Sequence, residues 1–381
     1  MISCSEAVMG KTCGVQPSNL RFQKFSGYVT VDYKKHKALF YYFVEAETDP
    51  ASKPLVLWLN GEANMLYLET PIGVGFFYAT NSSSYVTVDD EITARDNLVF
   101  LKNWYKKFPN YRHRDLYITG ESYAGHYIPQ LAKLMVEFNM KQNLFNFKGI
   151  ALDNPVMEFA TDFNSRAEYF WSHGLISDST YKMFTLVCNY SRYVSKYYRD
   201  SVSSSCSEVM SQVSRETSKF VDKYDEPLDV CISSVLSQSM AINPLQVSER
   251  IDVCVKEKIV NYLNRKDVRK ALHARLVGVR RWIVCSNILD YQLLNLEIPT
   301  ISIVGSLIKA GIPELGLETI VPYRVWFEGK QVGGWTQVYD NILSFATNNR
   351  GASHEAPFSQ PERSIMLFKS FLEGKPLPEV F

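Results

Sequence analysis

Six residues, Gly120-Glu121-Ser122-Tyr123-Ala124-Gly125, limit most strongly what this chain can fold into. An apolar run, Leu116-Tyr117-Ile118-Thr119, precedes them and a helical pattern follows. A Gly-x-Ser-x-Gly sequence between strand and helix reads as a nucleophile elbow, whose glycines leave room for a strained turn. Such a turn holds the serine oxygen at the top of a sheet. It also aims the next backbone N–H, here that of Tyr123, at a developing oxyanion. An ordinary glycine turn is the bland alternative, and the flanking strand and helix favour the elbow.

The segments around the elbow alternate. Gly27–Val31 and Ala38–Ala46 are rich in Tyr, Phe and Val and read as strands about a charged turn, Lys34-Lys35-His36-Lys37. Leu55–Leu59 suits a strand buried on both faces of a mainly parallel sheet, and Asn64–Leu68 reads as another. Only Glu62 and Ala63 separate Gly61 from Asn64, whereas parallel neighbours need a crossover of about a dozen residues. Asp89–Phe108 is helical, with Ile92, Leu98, Val99, Leu101, Trp104, Tyr105 and Phe108 on one face. Asp89, Asp90 and Glu91 suit its first turn. A second helix carries Leu131, Leu134, Met135 and Phe138, with Pro129 tolerable only near its start. Phe147–Leu152 is a further strand. This β-α-β-α-β order predicts a doubly wound α/β sheet.

From 159 to 285 the composition changes. Serines crowd together (Ser201, Ser203, Ser204, Ser205, Ser207) and cysteines appear. This reads as an inserted helical cap above the C-terminal edge of the sheet, where ligands bind in such folds. Residues 21–158 and 286–381 then form the core, and 1–20 a poorly ordered leader. Ile301–Val304 and Tyr323–Phe327 read as strands, Gly351–Pro357 as a turn. A closing helix carries Ile365, Met366, Phe368, Phe371 and Leu372. Cys188, Cys206, Cys231 and Cys254 lie about 20 residues apart and suit local disulfides of a secreted protein. Cys188–Cys206 with Cys231–Cys254 is the expected choice among three connectivities. The sequons at Asn81 and Asn189 point the same way. The first twenty residues, however, show no apolar stretch of the kind a signal peptide needs. With 41 basic and 40 acidic residues and no basic stripe, nucleic-acid binding is disfavoured. No apolar run reaches about 20 residues, so no membrane-spanning helix is predicted.

A serine nucleophile needs a base within hydrogen-bond reach, and in this fold class the base follows it late in the chain. Among the six histidines, His354 fits: it sits in a glycine turn past the final strands. His126 falls on the helix leaving the elbow and is expected to face away.

Trp58-Leu59-Asn60-Gly61, the Gly120–Pro129 stretch and the Ala352-x-His354-Glu355-x-Pro357 turn resemble the serine carboxypeptidase family, peptidase family S10. Asn64–Tyr78 and Phe159–Asp178 are similar to its plant serine carboxypeptidase-like branch. The resemblance implies an α/β-hydrolase fold with a helical, disulfide-bearing insertion. It implies release of C-terminal residues from peptides or proteins, at acidic pH, outside the cell or in vacuoles, with no cofactor or metal. Ser122 would be the nucleophile, His354 the base and the Tyr123 N–H one oxyanion donor. Asn60, Gly61 and Glu121 would hold the substrate's free carboxylate. A carboxyl beside another carboxyl shares a proton only at low pH, in keeping with an acidic optimum.

The same resemblance exposes departures. In the family, Trp-Leu-Asn-Gly continues as Gly-Pro-Gly-Cys-Ser-Ser and a few dozen further residues; here Glu62 follows Gly61 directly. The second oxyanion donor and the cysteine bridging to the position of Cys285 are therefore lost. Between Pro313 and Glu314 the family has a strand and an aspartate-bearing turn that completes the triad. Glu314, Glu318 and Asp340 are poor substitutes by position. An incomplete sheet is expected. Loss of the triad carboxylate costs ~10⁴ in turnover and loss of one oxyanion donor ~10²–10³. Three readings follow: a serine carboxypeptidase of impaired turnover, an acyltransferase using the same Ser122 and His354, and a non-catalytic member of the family.

Overall fold

The structure, a computed structural model, describes residues 23–379 except 58–62, 81, 87, 225, 227, 229, 232–250, 277–280, 287, 312–318, 341, 349 and 350. The 1–20 leader with Cys4 and Cys13, then Trp58, Asn60, Gly61, Glu62, Asn81, Glu314 and Glu318 lie outside the described residues. Main-chain packing divides the chain into two compact units. One comprises the chain to Pro155, Val255–Gln292 and Thr300–Phe381; the other is Val156–Cys254 with Leu293–Pro299.

The first unit is built on a six-stranded sheet: β1 (Lys24–Asp32), β2 (Lys37–Val44), β3 (Leu55–Leu57), β4 (Asn64–Leu68), β5 (Leu116–Glu121) and β6 (Phe147–Asp153). Its order is β1-β2-β4-β3-β5-β6, antiparallel through β4 and parallel from there on. Helix α1 (Asp90–Lys107) sets Trp104 edge-on against Phe43 at 5.2 Å. The C-terminal helix Pro361–Glu373 brings Phe368 and Leu372 to Val56 and Met65. Phe43 pairs with Leu66, and its neighbour Val44 with Met65, so the two helices cover opposite faces of the sheet. This is a doubly wound mixed sheet of the α/β-hydrolase kind. Among the described residues β6 pairs with β5 alone, and the remaining strands form a separate sheet. Those strands are β7 (Thr319–Glu328), β8 (Gln331–Tyr339) and β9 (Leu343–Ala346), antiparallel in that order. Gly333 and Gly334 let β8 close over the buried Trp326, where a Cβ would meet the indole at 2.2 Å or the Thr347 carbonyl at 1.8 Å.

Four expectations need correction. First, β3 and β4 are parallel neighbours, with Leu55 opposite Asn64, despite the short segment between them. The crossover rule reflects a helix laid across a sheet face, and six residues are long enough to step back by a strand's width. Second, Ile301–Gly311 is a helix, not a strand. Its β-branched start imitates a strand, but the apolar run continues past strand length behind Pro299 and Thr300, and both Ile303 and Val304 N–H groups bond the Thr300 carbonyl. Third, the buried side of α1 includes Asp90, Thr93 and Asn97, which a template of apolar residues alone misses. Fourth, the compositional segment 159–285 overruns the second unit. Leu263, Val268 and Trp282 pack with Phe40 and Phe76 in the sheet-bearing unit.

The second unit is helical. Helices α3 (Phe159–Ser172), α4 (Asp178–Val187), α5 (Tyr190–Tyr197) and α6 (Ser204–Glu216) enclose Phe170, Phe184, Tyr190 and Val213. Each begins at a side-chain cap: Glu158, Ser177, Asn189 and Ser203 accept from the N–H three residues on. Asn189, the second sequon, thus caps α5 through its amide oxygen, 2.8 Å from the Arg192 nitrogen. Disulfides join Cys188 to Cys206 and Cys231 to Cys254.

Candidate active site

β5 runs between β3 and β6 with Leu116 and Ile118 fully buried and ends at Glu121. The chain then reverses into α2 (Ala124–Lys141). Ser122 makes the reversal at φ +60°, a left-handed conformation that costs a side-chain-bearing residue roughly 1–2 kcal/mol. Main-chain bonds hold it there. Its N–H donates to the Asp153 carbonyl at 2.9 Å, and its carbonyl accepts from the Gly125 N–H at 3.0 Å. Tyr123 is the N-cap of α2, so the Tyr123 N–H lies at the positive end of the helix dipole. Strain at the serine and helix-end N–H groups beside it are what an acyl-transfer site requires.

His354 sits in the turn before a short helix, Ala356–Ser359. Ser353 anchors that turn through two bonds to the Ser359 hydroxyl, each 2.9 Å. Glu355 beside it pairs with Lys256 at 3.1 Å. The Asn154 side chain donates to the His354 carbonyl at 2.9 Å. Because Asp153 holds the serine's N–H and Asn154 holds the histidine's carbonyl, the end of β6 ties the two turns together. Glu121 ends β5 opposite Asp153, so both project to the same face of the sheet. Burial pushes the Asp153 carboxyl up to about 6.

Sequence reasoning missed Asp153, and it missed a polar cluster beneath the elbow. His126 is fully buried, and its Nδ1 lies 2.8 Å from Oδ2 of Asp90, itself 4% exposed. Tyr123, Gln130 and Tyr291 also converge on Asp90. A signal existed: Tyr123, His126, Tyr127 and Gln130 recur at helical spacing, a polar stripe on an otherwise apolar helix. Glu69 is a third buried carboxyl. It accepts from the Phe76 N–H and from the Trp282 indole at 2.8 Å, and desolvation nonetheless raises it to about 7.

A doubly wound sheet with a serine at a left-handed strand-to-helix turn and a histidine turn tied beside it defines an α/β-hydrolase. The chain belongs to the serine carboxypeptidase family, whose model matches residues 14–61, 62–315 and 306–374. It is 64% identical to serine carboxypeptidase-like 45 of Arabidopsis thaliana, covering 94% of this chain and 91% of that protein. It is 60% identical to serine carboxypeptidase-like 46 of the same plant, covering 94% and 90%. The first alignment spans 420 positions against 381 residues here, so the relative carries internal residues that this chain lacks. The fold is also that of the crystal structure of Kex1(Δ)p, a prohormone-processing carboxypeptidase from Saccharomyces cerevisiae. The TM-score is 0.67 at 16% identity, over 92% of this chain and 90% of that one.

Proposed function

We propose that this chain is a serine-type carboxypeptidase that releases C-terminal residues from peptides through an acyl-enzyme on Ser122. The observation that carries the proposal is the strained serine at the elbow with the His354 turn tied to it through Asp153 and Asn154. His354 takes the serine proton as the oxygen attacks the scissile carbonyl, then returns it to the leaving amine. The Tyr123 N–H receives the oxyanion. Glu121, with Asn60 and Gly61, recognises the free carboxylate of the substrate. Turnover is expected below that of relatives carrying the residues missing after Gly61 and after Pro313, since the histidine's usual acid and a second oxyanion donor are read as absent. The two disulfides favour an oxidising compartment on the secretory route, and Asn81 and Asn189 are the positions for glycans there.

The test is hydrolysis of an N-blocked dipeptide at acidic pH by secreted protein, with its C-terminal amide as control and Ser122→Ala as blank. Cleavage of the free acid alone, lost in Ser122→Ala, supports the reading. Equal cleavage of acid and amide removes Glu121 from carboxylate recognition. Acyl transfer from a glucose ester without peptide cleavage makes the chain an acyltransferase.

A further inference from the structure

We propose that Asp90 is a positioning residue for the oxyanion donor, acting through the Tyr123 side chain; this rests on the catalytic reading of Ser122. Asp90 opens α1 but does not cap it. Asp89 does that, accepting from the Ile92 N–H at 2.7 Å. The Asp90 carboxylate instead points into the core and, among the described residues, takes side-chain donors on both oxygens. Oδ1 accepts from the Tyr123 hydroxyl at 3.1 Å and the Tyr291 hydroxyl at 2.5 Å. Oδ2 accepts from His126 Nδ1 at 2.8 Å and the Gln130 amide at 3.3 Å. Four donors among the described residues thus converge on this buried carboxylate.

The rings of the cluster also pack on one another. The Tyr123 ring stacks on His126 at 4.9 Å and meets Tyr291 edge-on at 5.9 Å. Desolvation, and then the Asp90 charge among neighbouring groups, holds the Tyr123 and Tyr291 hydroxyls far above the ordinary tyrosine range, so both remain donors throughout the working pH. Three of the four donors come from the first turns of α2, and the acceptor from the first turn of α1.

Tyr123 therefore has two jobs on one residue. Its main-chain N–H faces the reacting carbonyl, and its side chain is clamped to Asp90. The peptide plane between Ser122 and Tyr123 is held at its carbonyl, which accepts from the Gly125 N–H at 3.0 Å, and beyond its N–H by this clamp on the Tyr123 side chain. Hydrogen bonds weaken steeply with angle, so a donor free to rock stabilises an oxyanion less.

The experiment compares Tyr123→Phe, Asp90→Asn and Thr180→Val with the unaltered full chain, reading both the rate of covalent fluorophosphonate capture and the reversible affinity that precedes it. Thr180 is a buried residue of the helical unit, remote in role from the elbow; its hydroxyl donates to Glu216 and accepts from Ser177, so Thr180→Val removes buried hydrogen bonding that the elbow does not use. Tyr123→Phe and Asp90→Asn are expected to slow the covalent step by about tenfold, short of the 10²–10³ lost with a whole donor. Reversible affinity stays within twofold, and Thr180→Val keeps the covalent rate at equal loss of thermal stability. Amide hydrogen exchange at residue 123 provides a readout independent of catalysis: faster in Tyr123→Phe and Asp90→Asn, unchanged in Thr180→Val. Covalent rates that fall in step with stability in all three, or unchanged exchange at residue 123, overturn the proposal. An unaltered chain that fails to label refutes the catalytic reading instead, and the exchange comparison still decides whether Asp90 positions that peptide.

Discussion

Replacing Glu69 by glutamine is expected to flatten the dependence of stability on pH. The Glu69 carboxyl lies against Gly75, where an added Cβ would meet its carbon at 2.1 Å, and it is bonded by the Phe76 N–H and the Trp282 indole. Desolvation outweighs those two bonds and lifts its titration from the ordinary 4.5 to about 7. A carboxyl raised on folding stabilises the native state fully below 4.5. That stability is lost as pH rises through about 7. At about 1.4 kcal/mol per pH unit the gap amounts to about 3 kcal/mol, a large share of a typical domain's stability. Urea unfolding from pH 4.5 to about pH 8 measures it. The unaltered protein weakens across that window, and Glu69→Gln loses about 3 kcal/mol of the difference. Asp153, raised to about 6, works in the same direction, so some slope persists in Glu69→Gln and shrinks further on adding Asp153→Asn; Asp96, raised by its burial, keeps the remainder. An unchanged slope in Glu69→Gln would refute the reasoning.

Gly75→Ala places a Cβ both at φ +63° and into the Glu69 carboxyl, and is expected to cost roughly 2 kcal/mol or more, read by thermal unfolding. Cys206→Ser opens a loop with a sequence separation of 18 and is expected to lower stability by about 3 kcal/mol, or to abolish secretion. Asn154→Asp exchanges the donor to the His354 carbonyl for an acceptor while keeping a residue tolerant of φ +40°. A bond of about 1 kcal/mol is lost, so labelling of Ser122 slows about fivefold with little change in melting temperature.

The parts legible beforehand were those with local causes. The elbow is a local motif, and α1 carries a helical spacing, so the expected span Asp89–Phe108 is close to the observed Asp90–Lys107. What could not be read depended on partners far away in the chain. Asp90 looked like a first-turn charge because its donors lie 33 to 201 residues away. His126 reads in sequence only as a residue of the helix leaving the elbow, because its partner, the Asp90 carboxyl, lies 36 residues back in the chain. Ile301–Val304 imitated a strand because β-branching is a weaker determinant than the length of the run and the Thr300 carbonyl. The tie from Asn154 to His354 spans 200 residues and leaves no trace in local pattern.

The central claim is that Ser122 remains an activated nucleophile in a chain lacking parts its relatives carry. Treating protein made through a secretory route with a fluorophosphonate at acidic pH, and mapping the adduct by peptide mass, tests it directly. The account predicts one adduct, on Ser122, absent in Ser122→Ala and suppressed in His354→Ala. A folded protein that carries no adduct on Ser122 would contradict it.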